Sequence, residues 1–131
     1  EDFARLCDFV RETRFARVGV FRYSDEEGTA AFELPDKVPR SVARERYHRL
    51  FEIQREIMLE KLESSVGEVS AVLVDAGFGG DLAEARLPSQ APEIDGTVFL
   101  KGSAQPGQLV RARISGIRTD CDLDAELATG A

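Results

Sequence analysis

A chain of 131 residues with 43% hydrophobic and 31% charged residues can bury one core and is too short for two large ones. Its formal net charge of −7 gives a surface that repels phosphate backbones and attracts basic partners. No apolar run approaches the roughly 20 residues of a membrane helix, and the opening Glu1-Asp-Phe-Ala-Arg-Leu-Cys7 has neither a basic start nor an apolar signal core, so a cytoplasmic protein is expected.

In chain order, Phe3, Leu6 and Val10 mark one face of a short helix ending near Thr13. Arg17-Val-Gly-Val-Phe-Arg-Tyr23 is β-branched and aromatic, which predicts a strand. Helix, strand and helix is the order of an α/β protein, yet a single strand makes no sheet. With Glu rather than Met at position 1, the chain is expected to be a piece of a longer polypeptide. The loop after a strand of an α/β barrel faces the active site, which makes Tyr23, Ser24, Glu27, Gly28 and Thr29 the residues best placed to approach a ligand. An ordinary surface turn accounts for the same residues. Pro35 and Pro39 bracket a linker, after which Ser41 is expected to cap a helix.

The stretch from Ser41 to Glu63 has no Gly or Pro, and Ala43, Tyr47, Leu50, Ile53 and Ile57 recur at helical steps. Phe51, Met58 and Leu62 widen that face, and Glu45 with Arg49 and Glu52 with Arg55 form neighbouring charge pairs. The predicted helix is about 35 Å long. Beyond Ser64 the period changes to alternation. Val66 to Asp75, Asp81 to Leu87, Gly96 to Lys101, Gln108 to Ile117 and a last run with Cys121, Leu123, Ala125 and Leu127 opposite Asp122, Asp124 and Glu126 predict five strands. Ala76-Gly-Phe-Gly-Gly80 and Pro106-Gly107 supply turns. The expected fold class is α+β, with a helix, strand and loop over residues 1–40, a connecting helix over 41–63, and a small antiparallel OB-like barrel over 64–131.

The run Arg14 to Thr29, then Leu34-Pro-Asp-Lys-Val-Pro39 and Glu45-Arg-Tyr-His-Arg-Leu50, resembles the radical S-adenosylmethionine methylthiotransferases. Within them it is most similar to the RimO type, which modifies an aspartate of ribosomal protein S-twelve. Glu26-Glu-Gly-Thr29 carries that distinction, since the related transfer-RNA enzymes typically have Arg-Pro-Gly-Thr there. The strand order, with Ala91-Pro-Glu-Ile-Asp-Gly96, Val98-Phe-Leu-Lys-Gly102 and Leu109-Val-Arg-Ala-Arg-Ile114, resembles a TRAM domain. The resemblance implies that residues 1–40 end a radical SAM partial barrel, and that the full-length enzyme carries two 4Fe–4S clusters and S-adenosylmethionine. The cluster motif Cys-x-x-x-Cys-x-x-Cys is absent here, so no catalytic residue is assigned, no metal or cofactor is expected on this chain, and it should be inactive alone. Cys7 and Cys121 are expected to be free thiols, and His48 an exposed helix residue.

TRAM domains commonly bind RNA, which calls for a basic groove with stacking aromatics. From Ser64 onward there are 10 acidic and 5 basic residues (net −5), against 14 and 12 (net −2) before, and Phe78 and Phe99 are the only aromatics. A basic protein substrate is therefore expected instead, with Asp75, Glu93, Asp95, Asp122, Asp124 and Glu126 as candidate contacts. The competing reading is that these acids solvate outer strand faces and pair with Arg111, Arg113 or Arg118. Two other functions stay open: a transfer-RNA adenosine methylthiotransferase whose barrel binds tRNA, and a non-catalytic binding module.

Overall fold

The helical period at the N-terminus is realised as α1, Asp2–Thr13, in the computed structural model, which describes residues 1–92 and 94–128. Cys7 and Val10 are its buried face, and Arg14 ends it in the left-handed conformation with its N–H donating to the Val10 carbonyl at 3.1 Å. The second helix, α2, runs Arg40–Ser65. Its Leu50, Ile53 and Ile57 join Cys7 and Val10 in one core, with Phe3, Val18 and Val20 packed at the margin. Buried Gln54 donates through Nε2 to the carbonyls of Phe15 and Ala16, both at 3.2 Å, and so anchors the chain that leaves α1.

Two expectations for this region change. Arg17–Tyr23 is no strand: its residues are irregular, because β-branched side chains favour a pleated backbone only where a neighbouring strand takes up the N–H and C=O groups. Among the described residues of this part no such neighbour exists. Val18 and Val20 instead pack on the helical core, while Phe21 is 93% exposed. Ser41 does not occupy the cap position either. The helix begins at Arg40, with the Ala43 N–H bonded to the Pro39 carbonyl at 2.9 Å, so Ser41 lies inside the first turn.

The chain forms two compact units, Glu1–Ile57 and Met58–Ala131, and the division falls within α2. In the second unit, Leu62 of α2 packs against a barrel core. The helix continues to Ser65 and a turn with Gly67 at φ 92° follows, which delays the first strand from Val66 to Val69. The strands are β1 Val69–Gly77, β2 Leu82–Arg86, β3 Val98–Lys101, β4 Leu109–Ile117 and β5 Leu123–Leu127. They close in the order β1-β2-β3-β5-β4, an OB-like barrel. All pairs are antiparallel except β3 with β5, which runs parallel, with Val98 opposite Leu123 and Lys101 opposite Glu126. That pair departs from the all-antiparallel expectation.

Alternation decides which side chains go inside. Val72 and Val74, Ala83 and Ala85, Val98 and Leu100, Ala112 and Ile114, and Leu123 and Ala125 form the core, two from each strand, each no more than 1% exposed. Four alanines among larger residues allow five strands to close tightly. Register shifts between Val74 and Ala76 and between Ile114 and Gly116 bend β1 and β4 around the barrel.

Gly96 enters β3 at φ 90°, and a Cβ there would collide with the Cys121 carbonyl, whereas one at Gly107, φ 85°, would meet nothing. Gly96→Ala is expected to lower stability by about 3 kcal/mol or more and Gly107→Ala by about 1–2 kcal/mol, read from urea midpoints. Equal losses would show that the approach of Gly96 to Cys121 is not tight.

Candidate functional site

The strand register lays the outward side chains of the barrel in rows. Glu84 of β2 lies opposite Phe99 of β3, Phe99 opposite Asp124 of β5, and Asp124 opposite Gly116 of β4. The next row runs Leu82, Lys101, Glu126, Arg113. All face outward, because their chain neighbours Ala83, Ala85, Val98, Leu100, Leu123 and Ala125 fill the core.

Three of the barrel's bases meet acids, two of them beside these rows. Arg118, in the loop between β4 and β5, meets Asp124 at 2.6 Å and lays its guanidinium over the Phe99 ring, 4.0 Å from the centroid. Lys101 pairs with Glu126 at 3.8 Å, and Arg86 with Asp75 at 3.5 Å. Arg113 donates to the Gly67 carbonyl at 2.7 Å. As partly exposed pairs each contributes about 0–1 kcal/mol, so their effect is on where charge sits more than on stability. The five bases lie on β2, β3, β4 and the β4–β5 loop.

Two other candidate acids serve the backbone. Asp122 accepts the Thr97 N–H at 2.8 Å through one oxygen and the Thr119 hydroxyl at 2.9 Å through the other, tying the β4–β5 loop to the start of β3. Asp95 accepts the Ala91 N–H at 2.9 Å. Buried Gln90 bridges the same loop, accepting from Leu87 N–H and donating to the Asp95 carbonyl. Glu93 lies outside the described residues. Of the carboxylates that sequence reasoning did not select, Glu84 lies in the Phe99 row and Asp81 in the β1–β2 loop, which also carries exposed Phe78. Glu84 could have been found from its place two residues before Arg86 in an alternating run.

In the first unit Tyr23, Ser24, Glu27, Gly28 and Thr29 are all exposed. Thr29 closes a turn: its hydroxyl donates to the Glu26 carbonyl at 2.8 Å and accepts the Phe32 N–H at 3.3 Å, with Gly28 at φ 79°. Lys37 organises the loop and was not singled out from the sequence. Its ammonium pairs with Asp25 at 2.7 Å, donates to the Ala31 carbonyl, and lies 5.1 Å from the Tyr23 ring and 5.8 Å from that of Phe32. The Lys37 hydrogen bond holds the Asp25 carboxyl below its ordinary value, and Asp25 raises Lys37.

The thiols do not fit an iron–sulfur cluster. Cys7 is buried in the helical core, and Cys121 is half-buried in the barrel beside Thr119 and Asp122. A cluster needs four thiolates, and both cysteines are free. Among the described residues no group of three or more His, Cys, Asp or Glu side chains is placed to hold a metal ion. His48 is exposed, with its ring edge-on to Tyr47 at 5.4 Å. No helix among the described residues is long and apolar enough to cross a membrane.

Residues 66–127 match the family model of the TRAM domain. The chain is 46% identical over 116 residues, 87% of its length, to a protein of Proteus mirabilis named ribosomal protein uS12 methylthiotransferase RimO. A protein of that name from Sorangium cellulosum is 45% identical over 129 residues, 96% of the chain. One from Salmonella arizonae is 44% identical over 116 residues. The chain spans about a quarter, 26%, of the length of each of these relatives.

The two shifts around Lys37 give the loop a defined pH window. A lowered Asp25 favours the ordered loop above its ordinary value of 3.8, and that contribution is lost as pH falls through the depressed value. A raised Lys37 contributes below 10.5 and loses its share as pH rises through the elevated value. Amide exchange protection at Thr29 and Phe32 should therefore be flat between about pH 5 and pH 9 once corrected for intrinsic exchange. Lys37→Gln should reduce it without moving the denaturation midpoint. Unchanged protection in that variant would contradict the role given to Lys37.

Proposed function

We propose that this chain, in which residues 66–127 form a TRAM domain and which is similar over most of its length to the RimO proteins, is the substrate-docking portion of a radical SAM methylthiotransferase acting on ribosomal protein uS12. The resemblance implies an aspartate as the modified residue and iron–sulfur clusters and S-adenosylmethionine as the cofactors, carried by parts of the enzyme outside these residues. The chain's own part would be to hold the substrate in the cytoplasm, where ribosomal proteins are made. The loop at Tyr23, Ser24, Glu27, Gly28 and Thr29 would lie toward the reacting centre.

The observation that carries this reading is the distribution of charge on the barrel. Three of its five bases are engaged by acids, Arg86 by Asp75, Lys101 by Glu126 and Arg118 by Asp124. The acidic residues are twice as numerous, so an anionic excess remains after the pairs are counted. Such a surface favours approach of a Lys/Arg-rich polypeptide and opposes a phosphate backbone. The same feature speaks against transfer RNA as the ligand. Phe99, the aromatic on the β2–β3 face where OB-type barrels stack bases, is already covered by Arg118.

The chain is expected to bind purified uS12 at low ionic strength, with affinity falling about tenfold or more on adding ~0.3 M salt, and to leave tRNA unshifted in a gel. Retention of tRNA with no binding of uS12 would replace this reading by the transfer-RNA one.

A further inference from the structure

Arg118 stacks on Phe99 on the outer face of the barrel. Phe99 presents a ring at the centre of a cross-strand row, with Glu84 on one side and Asp124 on the other. A flat cation over that ring meets an aromatic quadrupole below and a carboxylate at its edge, the combination that suits a guanidinium better than an ammonium. Arg118 satisfies both demands: its guanidinium carbon lies 4.0 Å from the ring centroid, while Nε and Nη2 bond Asp124 Oδ1 at 2.9 and 2.6 Å. Arg118 itself is an exposed loop residue, so it can leave without disturbing the core. Next in the row is Gly116, over which a Cβ would meet nothing within 4 Å.

We propose that Phe99, Asp124 and Glu84 form a docking site for an arginine side chain of the partner polypeptide, and that Arg118 is its internal occupant, displaced when the partner binds. The inference rests on the docking role given above and adds to it the residue type that is read. Competition from Arg118 weakens every cation at the site by the same factor. Selectivity for arginine over lysine comes from the Phe99 ring and Asp124, which a planar guanidinium can stack on and bond at once; lysine gains little there, binds mainly through the general field, and so responds less when Arg118 is removed. Asp124 is the acid that both guanidinium groups need. Lys101 and Glu126, one row away, pair with each other and leave Asp124 to Arg118.

The test uses the full 131-residue chain and two probes, fluorescent hexa-arginine and hexa-lysine peptides, with an oligouridine as a third. Arg118→Ala is expected to tighten hexa-arginine by about two- to fivefold, the worth of one partly exposed cation–π contact, and hexa-lysine by less than twofold. Arg111→Ala removes the same charge from β4, away from the row, and should change both peptides equally. Phe99→Leu in the Arg118→Ala background should abolish the gain while keeping an apolar side chain. Equal tightening of both peptides by Arg118→Ala, or weaker binding of hexa-arginine, would overturn the inference. So would oligouridine binding gained on removing Arg118, which would identify Phe99 as a base platform. Binding of both peptides by the unaltered chain, with no selective response to Arg118→Ala, would defeat the arginine site and leave the docking role standing. Failure of the unaltered chain and of Arg118→Ala to bind any cationic peptide would remove both.

Discussion

Closure of the barrel through β5 is the constraint from which the surface chemistry follows. β5 is placed between β3 and β4, parallel to one and antiparallel to the other, and Leu123 and Ala125 must point inward for the core to fill. With a period of two, Asp124 and Glu126 then have to point outward, one beside Phe99 and the other beside Lys101 and Arg113. The inner packing and the outer pairing are a single choice of register. A slip of one residue would bury two carboxylates and expose the apolar pair, at a cost far above any ion pair.

This geometry separates two properties that net charge confounds. A small barrel with as many bases as this one could still have gathered them on one face, which is what a nucleic-acid groove requires. Here the bases are spread over three strands and a loop, and most of them sit against a carboxylate. The pairs add little stability, but they remove local positive potential, so the excess acids set the field. Asp95 and Asp122 show that a carboxylate can carry part of that field while its oxygens serve the fold.

What was legible in the sequence follows the range of the interactions involved. The alternation of β4 and β5 and the helical face of α2 are local patterns, and the buried sets Ala112 with Ile114, Leu123 with Ala125, and Leu50 with Ile53 and Ile57 agree with them. The parallel β3–β5 pair was not legible, because those strands are not consecutive and closure alone brings them together. Arg17–Tyr23 misled for the converse reason: its residue types suit a strand, but strand formation depends on a partner. The stacking of Arg118 on Phe99 joins residues 19 positions apart through the barrel, and the contacts of Lys37 with Tyr23 and Phe32 depend on how the loop folds back. Neither has a periodic signature, so only the pairing of opposite charges could have been anticipated, not its geometry.

Titrating the isotopically labelled chain with uS12 and following each backbone amide by NMR asks whether the β2–β3–β5 face of the barrel receives a cationic polypeptide, as proposed above. The largest shifts should gather at Glu84, Phe99, Asp124 and Arg118, with the amides of Arg111 and Arg113 little changed. Shifts that leave this row untouched and collect along β4 or in the helical unit Glu1–Ile57 would contradict that proposal.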